Sequence, residues 1–348
     1  MNTVVTSSPA AKVPHATHRL RLLLRREFWE HKGGFFWAPL VAGGIFLLLS
    51  TMGIVVGLVA AKKAAGDAQI NIDGGSFSVN GLDLALLTSK LSAQDLRELG
   101  QALDVSLFMA ASWPLIVMAF VVFFYCLGCL YDERKDRSVL FWKSLPVSDA
   151  ETVLSKVLSA TVMAPVLAVL TGLLVMFGFL GVISVVVLAH GGNPVNLLWG
   201  PASPLTIALQ LLASIPVYAA WALPTVGWLM LCSAWARSKP FLWAIMIPLF
   251  SGIFVSWFDL MQMFERGSGW FWQHVVARLL LSVVPGSDIF YRGDSFNMAA
   301  DGVDSVQQLL SIPVTYGAFA RPEMWIGVAV GAAMIFGAIR LRRWRDDN

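Results

Sequence analysis

Six stretches of this 348-residue chain carry no Asp, Glu, Lys, Arg or His: about 35–61, 105–130, 157–189, 205–236, 241–258 and 324–339. A helix needs roughly 20 consecutive apolar residues to cross a hydrocarbon layer ~30 Å thick. The first four stretches are long enough by themselves, and the last two must borrow flanking residues. Backbone polar groups in lipid have to be satisfied internally, which leaves helices or closed barrels, and barrel strands would be about ten residues long with alternating polarity. These blocks are too long and too evenly apolar for strands. At 57% hydrophobic and 14% charged, against about 45–50% and 25% for soluble domains, the chain is not an ordinary water-soluble enzyme. The expected fold is all-α: a polytopic integral membrane protein with six transmembrane helices.

Orientation is read from the basic residues between the blocks. With the N-terminus placed in the cytoplasm, 17 of the 25 Lys and Arg fall on that side and eight on the other. That asymmetry favours six crossings with both termini cytoplasmic. The net charge of +3 is too small for a nucleic-acid-binding surface. Residues 1–16 are expected to be disordered and 17–348 to form a single membrane domain, with extracytoplasmic loops 62–104 and 263–322 and a cytoplasmic loop 131–156. No cleavable signal peptide is expected, because the first apolar block exceeds a signal h-region. Loop 62–104 opens with a Gly/Asp/Asn-rich turn region (66–81) and continues as an amphipathic helix around Leu82–Leu103.

Trp270 to Val284 is also apolar, but a seventh crossing there would put the Arg-rich C-terminus outside. The stretch is short and contains His274 and Arg278, and a central Arg costs about 2.5–3.5 kcal/mol on insertion scales. Phe271, Val275, Val276, Leu279, Leu280 and Val283 recur at helical spacing, which predicts a surface-lying or re-entrant helix on the far side.

Several chemistries are excluded by missing parts. There is no Gly-Lys pair and hence no P-loop, no H-E-x-x-H, and the five histidines are scattered. Cys126-x-x-Cys129 has no second pair to complete a metal or redox site, so both read as small hydrophobes at a helix end, as does Cys232. Gln210, Tyr218 and Ser251 are too few and too ordinary to name an intramembrane reaction. Ion-driven transporters place ionisable groups near the membrane midplane. Their absence from the six blocks means that transport by this chain would draw its energy from elsewhere.

Two cytoplasmic segments stand out. Ahead of the first block, Leu20, Leu23, Leu24 and Phe28 interleave with Arg19, Arg25, Arg26 and Glu30, predicting an amphipathic helix along the inner surface. Between blocks two and three, Tyr131 to Lys143 is dense in charge. A short helix there, capped by Asp136 or Ser138, carries Val139, Leu140, Phe141, Trp142 and Leu145 as an apolar surface, and Pro146 ends it. Ser148-Asp-Ala-Glu151 is a capping box that restarts a helix into the third block. Gly53-x-x-x-Gly57 and Gly327-x-x-x-Gly331 permit close helix approach, a common pattern in membrane helices.

The run E-R-x-x-x-S-x-L-x-W-K-S-L-P-V-S (Glu133 to Ser148), followed by Lys156 and preceded by the amphipathic "elbow", resembles the permease subunits of type-two ATP-binding-cassette exporters. Arg137 stands where that family commonly has Gly. The resemblance implies that loop 131–156 is a coupling helix docking on a separate P-loop ATPase subunit, through Glu133, Arg137, Phe141, Trp142, Leu145 and Pro146. It further implies no catalysis and no cofactor in this chain, with ATP and magnesium on the partner. A second permease subunit, self or sister, would complete an exporter of amphipathic or lipid-like cargo in a bacterial cytoplasmic membrane. A membrane scaffold or sensor that docks a cytoplasmic protein without transport is the alternative.

Overall fold

The computed structural model describes residues 16–67, 69–72, 75–78, 92–136, 147–261, 267–291 and 311–345. Helix α1 (Ala16–Lys32) is kinked at His31 and passes through a π-helical turn (Gly33–Trp37) into α2 (Ala38–Asp67). Strands β1 (Gln69–Ile72) and β2 (Gly75–Ser78) follow as an antiparallel hairpin. They are the one departure from the all-α expectation among the described residues, and they fall in the Gly/Asp/Asn-rich turn region. Helix α3 (Ala93–Gly128) starts at a capping box, in which Asp95 N–H donates to Ser92 Oγ and Ser92 N–H to the Asp95 carboxylate. The expected amphipathic helix around Leu82–Leu103 is thus, from Ala93 onward, the first turns of the second span; its residues 82–91 lie outside the described ones.

A short α4 (Tyr131–Lys135) leads into the 131–156 loop. Helix α5 (Asp149–Leu158) continues through a π-helical turn (Ser159–Met163) into α6 (Ala164–Ala189). The fourth apolar block is two helices, α7 (Pro204–Trp221) and α8 (Leu223–Trp235), jointed at Ala222 just before Pro224. Proline lacks an N–H and crowds the preceding turn, so a joint forms there. Helix α9 (Pro240–Leu260) precedes a back-folded segment of α10 (Ser268–Phe271), a π-helical turn (Trp272–Ala277) and α11 (Arg278–Leu281), followed by a 3₁₀ turn (Ser287–Tyr291). Then α12 (Ile312–Tyr316) and a 3₁₀ turn (Gly317–Ala320) lead to α13 (Pro322–Arg345).

Six of these helical units are long and apolar enough to cross a membrane, and they coincide with the six uncharged blocks. Their ends pair in two groups. At one end, α1 (which runs on into α2), the end of α3 with α4, the α5 helix and the ends of α8 and α13 are joined through side-chain contacts. At the other, Asp104 near the start of α3 accepts from Ser203 N–H (2.7 Å) before α7, and Gly100 lies against Pro201. Consecutive spans therefore alternate in direction. The first group is called the charged end below.

Small residues decide where helices meet. A Cβ on Gly172 would lie 2.7 Å from Ala111 O, one on Gly227 2.6 Å from Gly331 O, and one on Gly331 2.6 Å from Leu223 O. Close backbone approach replaces the hydrophobic drive that is lost in lipid. The α3–α6 and α8–α13 pairs form the interior, whereas α2 leaves Ile45, Leu48, Met52 and Val56 on an exposed apolar face. Among the described residues nothing lies within 4 Å of a Cβ on Gly53 or Gly57. The two G-x-x-x-G motifs thus differ: one packs within the chain, and the other faces outward.

Candidate coupling site

At the charged end, four ionisable side chains from four separate elements are buried together. Lys156 Nζ of α5 lies 2.9 Å from Glu27 Oε1 of α1 and 3.0 Å from Glu133 Oε1 of α4. Glu133 Oε2 accepts from Arg342 Nη1 of α13 at 2.7 Å, and Arg342 Nε donates to Asp149 Oδ1 at 3.2 Å. Glu27 and Lys156 are each 1% exposed, Glu133 7% and Arg342 8%. Arg26 reaches Glu133 Oε1 at 3.3 Å, and Tyr125 OH donates to Glu27 Oε2 at 2.8 Å. Each buried carboxylate thus meets a cation and a second donor, the condition under which buried charge is tolerated.

Local sequence places each member. On α1, Glu27 continues the apolar stripe of Leu20, Leu23 and Leu24 at helical spacing, so it turns inward with them. Lys156 shares the face of Val153, Val157 and Ala160, and Arg342 that of Ala338, all buried. A charge standing on an apolar helical face was the available signal for Glu27 and Arg342. Neither was singled out from sequence, because the acid that each cation needs is supplied by a distant element.

Both shoulders of the loop are fixed. Arg134 donates to Ser233 O, Ala234 O and Ala236 O, each at 2.8 Å, closing the otherwise unpaired carbonyl end of α8. Ser233 Oγ in turn accepts from Leu130 and Tyr131 N–H. On the far shoulder, the predicted capping box is present: Glu151 N–H donates to Ser148 Oγ (3.2 Å) and Ser148 N–H to Glu151 Oε2 (2.9 Å). Arg19 of α1 adds a contact to Glu151 at 3.3 Å. Of the six residues expected to meet an ATPase, Glu133 belongs to the network and faces inward, where it joins helices instead of meeting a partner. Arg137, Phe141, Trp142, Leu145 and Pro146 lie outside the described residues.

Away from this end, the back-folded segment carries Arg278 into the bundle. Thr225 Oγ1 donates to Arg278 O, Tyr218 OH to Val283 O and Trp221 Nε1 to Ser287 Oγ, each at 3.0 Å. Trp272 covers Gly252 of α9 and donates to Ser256 Oγ at 2.8 Å. The stretch expected as a surface-lying or re-entrant helix is helical over Ser268–Leu281, and Arg278 within it is 7% exposed. Tyr218 and Ser251 serve as packing groups, the latter donating to Pro248 O of its own helix. Cys126, Cys129 and Cys232 are buried free thiols, and no cluster of potential metal ligands occurs among the described residues.

Comparison of the chain with family models, curated proteins and solved structures found no match in any of the three.

Proposed function

We propose that this chain is the membrane-spanning permease subunit of a type-two ATP-binding-cassette exporter. It moves an amphipathic or lipid-like molecule outward, using ATP hydrolysed with magnesium on a separate P-loop ATPase. The charged end is cytoplasmic by the positive-inside distribution of Lys and Arg. Helix α1 acts as the elbow, and the 268–291 segment as a re-entrant hairpin. A second permease, the same chain or a sister, completes the membrane half.

The observation that carries this reading is the anchoring of both shoulders of the 137–146 segment into one buried ionic network. A displacement of that segment by a docked partner pulls on Glu133 and Arg134 at one shoulder and on Asp149 and Lys156 at the other. Through their contacts it reaches α1, α8 and α13 together. Packed interiors transmit such a shift because they deform little. The six uncharged spans agree with a motion whose energy comes from outside the chain. Phe141 and Trp142 supply the apolar contact with the ATPase, and Arg137 orients it.

The test is co-purification from the native membrane. Wild-type protein is expected to retain a P-loop ATPase, and the double substitution Phe141→Asp, Trp142→Asp to lose it while still eluting as a monodisperse membrane protein. Unchanged retention by that variant overturns the proposal. Retention without stimulation of the ATPase by any amphipath would favour a scaffold or sensor.

A further inference from the structure

Arg278 is unlike the charges at the charged end. Among the described residues no carboxylate oxygen comes within 4 Å of it; Asp288, in the 3₁₀ turn that follows, acts on it only through space, and the Tyr291 ring lies 5.8 Å away. Arg278 Cζ lies 3.2 Å from the centroid of the Trp221 ring, and its Nη1 donates to Trp221 O (3.3 Å) and Ser282 Oγ (3.2 Å). Nη2 is buried, with no hydrogen-bond partner among the described residues. It faces Gly327 of α13, where a Cβ would lie 2.5 Å away. Measured along α13 at 1.5 Å per residue, Gly327 stands about 22 Å from Arg342 and about 8 Å from Pro322, so the guanidinium lies against the third of this span farther from the charged end.

The contacts of the guanidinium to Trp221 are only part of the docking of the hairpin. Thr225, Tyr218 and Trp221 hold that segment through neutral hydrogen bonds to Arg278 O, Val283 O and Ser287 Oγ. None of them uses the guanidinium. A cation at this depth is costly and ordinarily finds a partner or marks a substrate path. Here one edge of the fork is left over, and the surface opposite it is the hydrogen face of a glycine. The aromatic face behind it stabilises the cation without neutralising it.

We infer that Arg278, backed by Trp221 and facing Gly327, takes the anionic headgroup, carboxylate or phosphate, of an acyl-chain amphipath inside the bundle. A guanidinium fork matches either group through paired N–H···O bonds. Leu281 and Val284 on the same segment, both exposed, supply apolar surface for the chain. Access requires the hairpin to part from α13 by about 3 Å, the reach of one hydrogen-bonded oxygen. Naming this ligand as cargo rests on the permease reading; the site itself is tested on the isolated chain, without any ATPase.

The protein is placed in phosphatidylcholine nanodiscs and irradiated with three diazirine probes of equal chain length: a fatty acid, an alkyl phosphate and a fatty alcohol. Labelled peptides are mapped by mass spectrometry. Labelling around Trp221, Arg278 and Gly327 is expected to be at least tenfold stronger with the acid or the phosphate than with the alcohol, and whichever anion labels identifies the source. Arg278→Gln should bring it to the alcohol level, and Arg278→Lys should retain part of it. Gly327→Ala, which crowds Nη2 and keeps the charge, should also reduce it and serves if Arg278→Gln does not fold. Equal labelling by alcohol and anions, or labelling unaffected by both Arg278→Gln and Gly327→Ala, overturns the inference. Failure of ATPase co-purification with anion-selective labelling intact would instead overturn the exporter reading.

Discussion

Replacing Lys156 with Met isolates what the buried network contributes. The substitution keeps the length and apolar stem of the side chain and removes the ammonium that lies 2.9 Å from Glu27 and 3.0 Å from Glu133. At an effective dielectric of about 20, each contact is worth about 6 kcal/mol of Coulomb energy. Much of that is offset by the cost of dehydrating the lysine. The two carboxylates fare differently once it is gone. Glu133 keeps Arg342 at 2.7 Å and Arg26 at 3.3 Å, whereas Glu27 keeps Tyr125 OH at 2.8 Å and His31 at 3.8 Å. Glu27, 1% exposed, then holds a poorly compensated charge, and breaking a buried pair in this way costs about 3–5 kcal/mol. Adding Glu27→Gln removes the stranded charge, so the double variant should be more stable than the sum of the singles by about 2 kcal/mol. Steric trapping or reversible unfolding in mixed micelles measures all four corners of the cycle. A loss below about 1 kcal/mol for Lys156→Met, or additive single effects, would show that the network is solvated and transmits nothing.

Other perturbations separate the remaining contacts. Arg134→Ala removes three charge-assisted hydrogen bonds to the end of α8 and should cost about 2–3 kcal/mol, less than their sum because water replaces some. Hydrogen exchange should accelerate at 233–239 and not at 193–203. Gly227→Leu forces side-chain atoms into Gly331 O and should destabilise by about 3 kcal/mol or more through overpacking; Gly57→Leu, with none of the described residues within 4 Å, should leave monomer unfolding within ~0.5 kcal/mol. For topology, an impermeant maleimide applied to intact cells should label Asn193→Cys and spare Lys239→Cys, against a background of three buried native thiols. The reverse pattern would invert the assigned orientation.

The spans were legible because a bilayer imposes a length and a composition on any segment that crosses it, and both are properties of contiguous sequence. The same holds for the Ser148–Glu151 capping box, whose partners are three residues apart, but not for the joint at Ala222, since 205–236 reads as one uninterrupted apolar stretch. Register between elements is another matter. Glu27 and Lys156 are 129 positions apart, and nothing in either neighbourhood names the other; the Glu27 reading needed α1, α4 and α5 to be brought together first. Identical motifs had opposite fates, Gly327-x-x-x-Gly331 closing onto α8 while Gly53-x-x-x-Gly57 faces outward, because a small-residue spacing states only that close approach is possible. Arg278 shows the same limit. Its cost in an apolar run was visible and argued against a seventh span, yet only the fold decided that the segment turns inward and leaves one edge of its guanidinium without a hydrogen-bond partner among the described residues. Local chemistry and membrane thickness set the elements and their order; which buried charges neutralise one another, and which one is left over, is decided by long-range packing.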